Sequence, residues 1–349
     1  VLKSGGGAGL SSVHRTIFIE TILGGCQMIE LTRRHLFAGA AAATAVSMIP
    51  LAGRDAFAAA PQGAKSTGIF SYKVGDYEIV QLRDGARTFP MPDMFVTNVS
   101  KDKAIEAAAA AYIPNGQVTI PFSPMLINTG SKLVAIDTGN GLGAFAASKG
   151  AVGQARSNME AAGIDPKSVD VVIISHFHGD HIGGLKNADG TPAFPNAEIL
   201  VPAVEAAFWG DDANQSKANG FNKSQFAVVK KIMDGLKVTP YEPNKEVAPG
   251  ITSIASPGHT PGHTSFGVAS GSSKLLVQSD VTNIPSFFLR NPDWQVTFDN
   301  DGPLAVQTRH KVYDMAAAEK MPVAGYHFPF PCFGYVEKDG AGYRLVPMV

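Results

Sequence analysis

The chain is predicted to fold as a layered α/β domain, and three observations predict it. From Gly68 onward short strand-like runs alternate with helix-like segments. The run "VDVVIIS", residues 169–175, is almost continuously apolar, which suits a strand buried on both faces. The strand-like runs also fall into two groups with helices between them, the pattern of stacked layers. No repeat of twenty to fifty residues stands out, so a solenoid or propeller is not expected.

The elements follow in order. "GIFSYKVGDYEIVQLRDG" reads as two strands joined at Gly75 and Asp76. "KAIEAAAAAYIP", residues 103–114, is a short helix stopped by Pro114. "SPMLINTGSKLVAIDTG" supplies two strands around Gly130 and Ser131 and ends near Asp137. "AFAASKGAVGQARSNMEAAGI", residues 144–164, reads as one helix weakened by internal glycines. Strands are then expected at "VDVVIIS", "AEILVP", "KVTPY", "ITSIAS", "TSFGVAS" and "SKLLVQSD". A helix from about Leu304 to Lys320 and the hairpin "GYVEKDGAGYRLVP" close the chain.

The first sixty residues have another character. From Met28, "MIELTRRHLFAGAAAATAVSMIP" places Arg33 and Arg34 before an apolar, alanine-rich run and leads to "AFAAAP" at residues 56–61. A basic patch, a short apolar stretch and small residues at a cleavage point are the parts of a secretory signal. "TRRHLF" resembles a twin-arginine signal, so residues 28–60 are expected to address the protein to the Tat export machinery and a periplasmic or secreted location, with cleavage after Ala58 or Ala60. A membrane-anchoring helix is the alternative, although Leu36 to Leu51 is short for a full span. Residues 1–27 read as an upstream, unstructured extension, and residues 61–349 as the folded domain.

Composition narrows the function. Of 349 residues, 45 % are hydrophobic and 17 % charged, and the net charge is −1. That near-neutral balance gives no reason to expect nucleic acid or an anionic membrane surface as partner. Only Cys26 and Cys332 occur, too few for a disulfide framework or a thiolate metal cage.

The nine histidines are not spread evenly. "HFHGDH" packs His176, His178, Asp180 and His181 directly after the apolar strand. In a strand-to-loop turn His176 and His178 can point to one ion, with Asp180 and His181 facing a neighbouring one. Neutral imidazole and carboxylate are the usual ligands of Zn²⁺. One loop cannot complete such a site. Downstream, "SPGHTPGHTSF" offers His259 and His263, "LLVQSD" ends in Asp280, and "AGYHFPFP" presents His327. All sit near strand ends, where α/β proteins build their sites.

The set His176, His178, Asp180, His181, His263, Asp280 and His327 resembles the metallo-β-lactamase superfamily across roughly residues 68–347. The resemblance implies a four-layer αββα sandwich with two metal ions at one edge. It assigns His176, His178 and His263 to the first metal, Asp180, His181 and His327 to the second, and Asp280 to both. Asp180 and Asp280 are the carboxylates expected to act in catalysis. His259 is expected to be structural or to support a ligand, and Asp137 to orient a ligand histidine. The ions are expected to be zinc, with manganese or iron as alternatives.

Two such ions would acidify a shared water to a pKa of about 7, giving hydroxide to attack a carbonyl or phosphoryl centre. No serine or cysteine nucleophile is needed, so Cys332 reads as a buried small residue. The segments "YHFPFPCFGYVEKDGAGYRLVP" and "NPDWQVTFDNDGPLAVQTRHKVYDMAAAEKM" resemble the methyl parathion hydrolase-like branch. Three positions depart from relatives. Asn283 stands where acyl-homoserine lactonases commonly place a tyrosine, and Cys332 and Tyr335 stand where methyl parathion hydrolases tend to have glycine and histidine.

The expected activity is therefore hydrolysis of lactones or aryl carboxylic esters as small-molecule substrates, with organophosphate triesters as the alternative. A homodimer is left open. Phe122, Phe208, Trp209 and Phe287 to Leu289 are candidate pocket walls, and no basic cluster sits beside them to grip a phosphomonoester or a nucleic-acid backbone. From another class, iron-dependent persulfide dioxygenation competes on the same ligands. A flavodiiron protein is disfavoured because position 178 is histidine, and a non-catalytic module because the ligand set is intact.

Overall fold

In the computed structural model, the described residues are 68–113, 116–218 and 220–348. The upstream extension, the twin-arginine segment and the start of the folded domain at residues 61–67 lie outside them, as does Pro114.

Two seven-stranded sheets pack face to face. The first runs in the order β1 (Ile69–Val74), β2 (Tyr77–Leu82), β5 (Met125–Asn128), β6 (Leu133–Ile136), β7 (Val171–Ile173), β8 (Glu198–Pro202) and β9 (Thr239–Tyr241). Its strands are antiparallel up to β6 and parallel from β6 to β9. The second sheet is β10 (Glu246–Ala248), β11 (Ile251–Ala255), β12 (Thr264–Ser270), β13 (Ser273–Ser279), β14 (Pro322–Gly325), β15 (Phe333–Asp339) and β16 (Gly342–Pro347). Only its β13–β14 pair is parallel. A separate hairpin pairs β3 (Gly85–Pro90) with β4 (Gln117–Phe122).

Alternation in the strands explains the layers. Ile79, Ile127, Ile136 and Ile173 of the first sheet meet Ile251, Phe266, Val268 and Val277 of the second in one buried core. Each such side chain contributes about 1.5–3 kcal/mol on leaving water. On the outer face of the first sheet Val80, Val172 and Val201 pack with Met159 and Phe226 from helices. On the outer face of the second, Leu276 and Val323 pack under Val312, Tyr313 and Ala316 of the helix Gly302–Ala318. The result is the expected αββα sandwich, and β7 is buried on both faces as its composition demands.

The expected helix over 144–164 divides into α2 (Gly141–Ala147) and α3 (Ala155–Ala161), after α1 (Lys101–Ala110). The glycines decide the break. Gly150 and Gly153 have φ of +86° and +82°, and a Cβ on Gly153 would sit 2.4 Å from the Gly141 carbonyl oxygen. The remaining helices that matter for the site are α4 (Gly179–Ile182), α5 (Ala203–Trp209), α6 (Asp212–Lys217), α7 (Gly220–Met233), α8 (Pro285–Phe288) and α9 (Gly302–Ala318). Neither α7 nor the β3–β4 hairpin was expected from the sequence, and both become walls of the site.

Candidate metal centre

The site lies at one end of the sandwich, built by loops from both sheets. The parallel strand β7 ends at Ile173, and the chain then turns through Ser175 to His181, placing His176, His178 and His181 inside with exposures of 0 %, 3 % and 0 %. Helix α4 begins at Gly179 and carries Asp180 and His181 on its single turn. The second sheet contributes His259 from the β11–β12 loop, Asp280 directly after β13 and His327 two residues after β14. Ser279 and Asp137 both adopt left-handed backbone, at φ +52° and +59°, each at a cost of about 1 kcal/mol. Their side chains offset it: Ser279 Oγ donates to the Thr264 carbonyl, and Asp137 accepts from the backbone N–H and hydroxyl of Ser175.

Three imidazole nitrogens converge first. His178 Nδ1 lies 3.1 Å from His176 Nε2 and 3.0 Å from His259 Nε2. Nitrogens around one tetrahedral ion at 2.0–2.1 Å stand about 3.3 Å apart, so the spacing fits a shared cation. Asp180, His181 and His327 form the second group, all three within reach of one ion. Asp280 lies between the two, with Oδ1 3.3 Å from His181 Nε2 and Oδ2 2.9 Å from His327 Nε2 and 3.3 Å from His259 Nε2.

The outer nitrogens are held in one tautomer. His181 Nδ1 donates to Asp137 Oδ2 at 2.8 Å, His259 Nδ1 to Asp299 Oδ1 at 2.8 Å, and His327 Nδ1 to the Pro121 carbonyl at 2.7 Å. Each partner turns the other nitrogen, Nε2, inward, as carboxylates and carbonyls do behind metal-ligating histidines. His181 Nε2 and Asp280 Oδ1 are buried and have no hydrogen-bond partner in the protein, so the site has polar atoms that a cation would satisfy.

The electrostatics agree. Burial holds the imidazoles of His176 and His178 well below the usual histidine range, hence neutral. Burial also opposes charge on Asp180 and Asp280, but neighbouring histidines outweigh it: Asp180 falls to about 2, under His181 and His327, and Asp280 is lowered as well. His259 is pushed up to about 9, because hydrogen bonds to Asp280 and Asp299 outweigh its burial. His181 is raised for the same kind of reason, facing Asp280, Asp137 and Asp180. Without metal, the carboxylates therefore hold protons on two inward histidines, positions of positive charge that divalent ions would take over.

This geometry reverses the assignment in "PGHTPGH". His263, expected to hold the first metal, has no free nitrogen: Nδ1 donates to the Ser256 carbonyl at 2.8 Å, and Nε2 accepts from the Asp280 N–H at 2.9 Å. His259, expected to play a supporting part, faces the ion position instead. The reason is local. His263 directly precedes β12, whose alternation turns the ring into the sandwich, whereas His259 stands in an open Pro-Gly loop. The other six expected ligands come together with His259.

Two supporting residues escaped the sequence reading. Asp299 lies behind His259, and the buried Arg309 guanidinium is 4.0 Å from its carboxylate. Glu205, fully buried on α5, accepts from the backbone N–H of Phe177 at 3.0 Å and of Gly262 at 2.7 Å, and from Trp209 Nε1 at 2.7 Å. It fastens the two histidine loops to each other. A carboxylate before "AFW" carried no spacing signal that could have revealed this.

A cavity of about 760 Å³ opens over the centre. Phe89, Ile120, Phe122, Phe221 and Phe298 line it, together with the site residues His178, Asp180, His259, Asp280 and His327. Asn283 also faces it, its Oδ1 buried without a partner. Of the expected pocket residues only Phe122 lines the cavity. Phe287, Phe288 and Leu289 are core residues at 0 % exposure, and Phe208 and Trp209 pack against Phe226. Cys332 is buried under the second sheet, its thiol donating to the Phe328 carbonyl and pushed up to about 12 by burial.

Comparison with known proteins decides the family. The family model described as the metallo-beta-lactamase superfamily matches residues 123–319, more than half of the chain. The chain belongs to the metallo-β-lactamase superfamily. Within it, an N-acyl homoserine lactonase of Bacillus cereus is 25 % identical over 190 residues, covering 54 % of this chain and 64 % of the lactonase. The chain thus spans less than two thirds of the curated lactonase it matches. Two solved structures are similar over nearly their whole length. The hydrolase AbOPH has a TM-score of 0.74 and 25 % identity, with 82 % of this chain and 99 % of that one covered. AidC, described as a dizinc quorum-quenching lactonase in complex with a product, has a TM-score of 0.72 and 25 % identity, with 81 % and 98 % covered.

Proposed function

We propose that the chain is a dinuclear metal-dependent hydrolase of lactones or aryl carboxylic esters. The observation that carries it is the pair of inward-facing ligand groups joined at Asp280 beneath an aromatic cavity. His176, His178 and His259 would hold one divalent ion, Asp180, His181 and His327 the other, and Asp280 both. Zinc suits this nitrogen and carboxylate set, and it is the metal named for the dizinc neighbour. When bound, such ions supply Lewis acidity towards a carbonyl oxygen and lower the pKa of water to about 7.

The protein's own groups do the rest. Asp137, Asp299 and the Pro121 carbonyl hold the Nδ1–H of three imidazoles, so that Nε2 of each faces the ion positions. Phe89, Phe122 and Phe298 offer an apolar bed for an acyl chain or aryl group and exclude water from it. The Asn283 amide presents a polar contact beside Asp280, available to a substrate heteroatom. Tyr326 does not face the substrate: its hydroxyl donates to the Asp180 carbonyl and its ring stacks on His181. The "TRRHLF" segment supports export through the Tat machinery to the periplasm or beyond as part of the same reading.

The test is hydrolysis of dihydrocoumarin and phenyl acetate beside a paraoxon-like triester and nitrocefin, before and after chelation and zinc reconstitution. Turnover of lactone or ester that is lost on chelation and returns with zinc is expected. Absence of both activities in zinc-loaded protein would reject the reading, and triester turnover alone would favour the organophosphate alternative. Oxygen uptake with a glutathione persulfide would instead indicate the dioxygenase.

A further inference from the structure

The cavity is charged unevenly along its length. Phe221, at the start of α7, lies against His178 with ring centroids 5.2 Å apart. Gln225, Val228, Lys231 and Ile232 follow on the same face of the helix and line the same cavity. At 1.5 Å per residue, Lys231 stands about 15 Å along the axis from Phe221, at the far end from the metal centre. Lys186 joins it there, its ammonium held against the carbonyl oxygens of Lys231 and Asp234. On the opposite wall Arg87 pairs across the β3–β4 hairpin with Ile120, one side-chain repeat from Phe122, which packs against His327.

Among the described residues, these three cations are the only charged residues lining the cavity outside the metal centre itself. None is ion-paired among the described residues, although Lys101, Arg156, Lys338 and Arg344 elsewhere on the surface are. The nearest acid in the Lys186 loop, Asp189, accepts from the N–H and hydroxyl of Thr191 and does not line the cavity. Sequence inspection gives no hint of this grouping, because the three come from β3, the loop after α4 and the end of α7.

We infer that the cavity selects ester or lactone substrates that carry an anionic group, a carboxylate above all, separated by an apolar spacer from the bond to be cleaved. The cleaved carbonyl would lie over Asp280, the spacer along Phe122 and Val228, and the anion towards Lys186 and Lys231, with Arg87 adding positive potential from the facing wall. This selectivity presupposes the hydrolase reading above. Partly exposed cations attract such a group through solvent, so the preference is expected to weaken with salt.

The test uses zinc-loaded protein and two 4-nitrophenyl esters of equal chain length, the decanoate and the mono-ester of sebacic acid, a spacer long enough to carry the anion from the metal centre to the far end. The sebacate ester is expected to have the higher kcat/KM by about tenfold, mainly through KM. The ratio should fall as salt rises from low to high concentration, and towards one when Arg87, Lys186 and Lys231 are replaced together by glutamine. Equal rates, or a preference for decanoate, would overturn the anionic selectivity while leaving the hydrolase intact. Cleavage of neither ester would overturn both. A preference for sebacate that persists in the triple variant would place the anion elsewhere and also defeat the proposal.

Discussion

Asp299 accepts the Nδ1–H of His259 at 2.8 Å, and through that bond the segment before α9 governs a ligand 40 residues earlier in the chain. Replacing Asp299 with Asn keeps the size but lets the amide turn an N–H towards the imidazole. Zinc affinity is expected to fall about 10–100-fold, the usual loss for such partners, measured by competition with a chromogenic chelator. Unchanged affinity would remove Asp299 from the site.

His259 and His263 should separate cleanly. His259→Ala is expected to lose one metal equivalent by elemental analysis, with the fold retained by circular dichroism. His263→Ala leaves the buried Asp280 N–H without an acceptor, a loss of about 1–3 kcal/mol, and should lower the thermal midpoint more than the metal content. The reverse pattern would restore His263 as the ligand.

Phe177 and Gly262 donate to different oxygens of Glu205, so Glu205→Gln keeps an acceptor for one histidine loop and turns an amide N–H against the backbone N–H of the other. Metal-induced stabilisation, the difference in thermal midpoint with and without zinc, should shrink in this variant. A purely structural role would lower both midpoints equally.

Zinc binding should be proton-linked. His259 is held up to about 9 in the metal-free site, so a proton must leave before its nitrogen can bind. Apparent affinity is expected to rise with pH between about 6 and 9. Calorimetry in buffers of different ionisation enthalpy would show the released protons, and a flat profile would contradict the assignment.

Asp84 sets a different pH dependence. Burial raises its carboxyl to about 6 against the hydrogen bonds from Asn140 and Ala155. The folded state thus keeps a proton that the unfolded chain sheds near its ordinary value. This contribution is full below about pH 4 and is lost as pH rises through about 6, at most about 3 kcal/mol. The stability difference between wild type and Asp84→Asn should shift in that sense between pH 4 and 6 in chemical denaturation, and a difference that does not change across that window would refute it.

The parts of the site carried by local pattern were readable before any coordinates. "HFHGDH" after an apolar strand, Asp280 at the end of "LLVQSD" and His327 in "AGYHFPFP" stood out as candidates from strand pattern and ligand chemistry, and the resemblance to the superfamily gave them their roles. The choice between His259 and His263 was not readable in the same way, because it depends on where β12 begins and which nitrogen meets the Asp280 backbone. The β3–β4 hairpin was hidden for a related reason: its strands are 26 residues apart, and the intervening residues 91–116 include a helix. The division at Gly150 and Gly153 needed the close approach of Gly141, a tertiary contact. Residue type identifies candidate ligands, while register and distant partners decide which of them face inward.

Because the β7 loop belongs to one sheet and His259, Asp280 and His327 to the other, neither half of the sandwich carries a complete coordination sphere. A fragment ending before β10 keeps four donors crowded on one loop but forfeits the shared carboxylate. Bound cations would act as rivets across the seam, so a lesion that merely slackens the docking of the halves, far from any imidazole, would disarm the enzyme as surely as deleting a ligand.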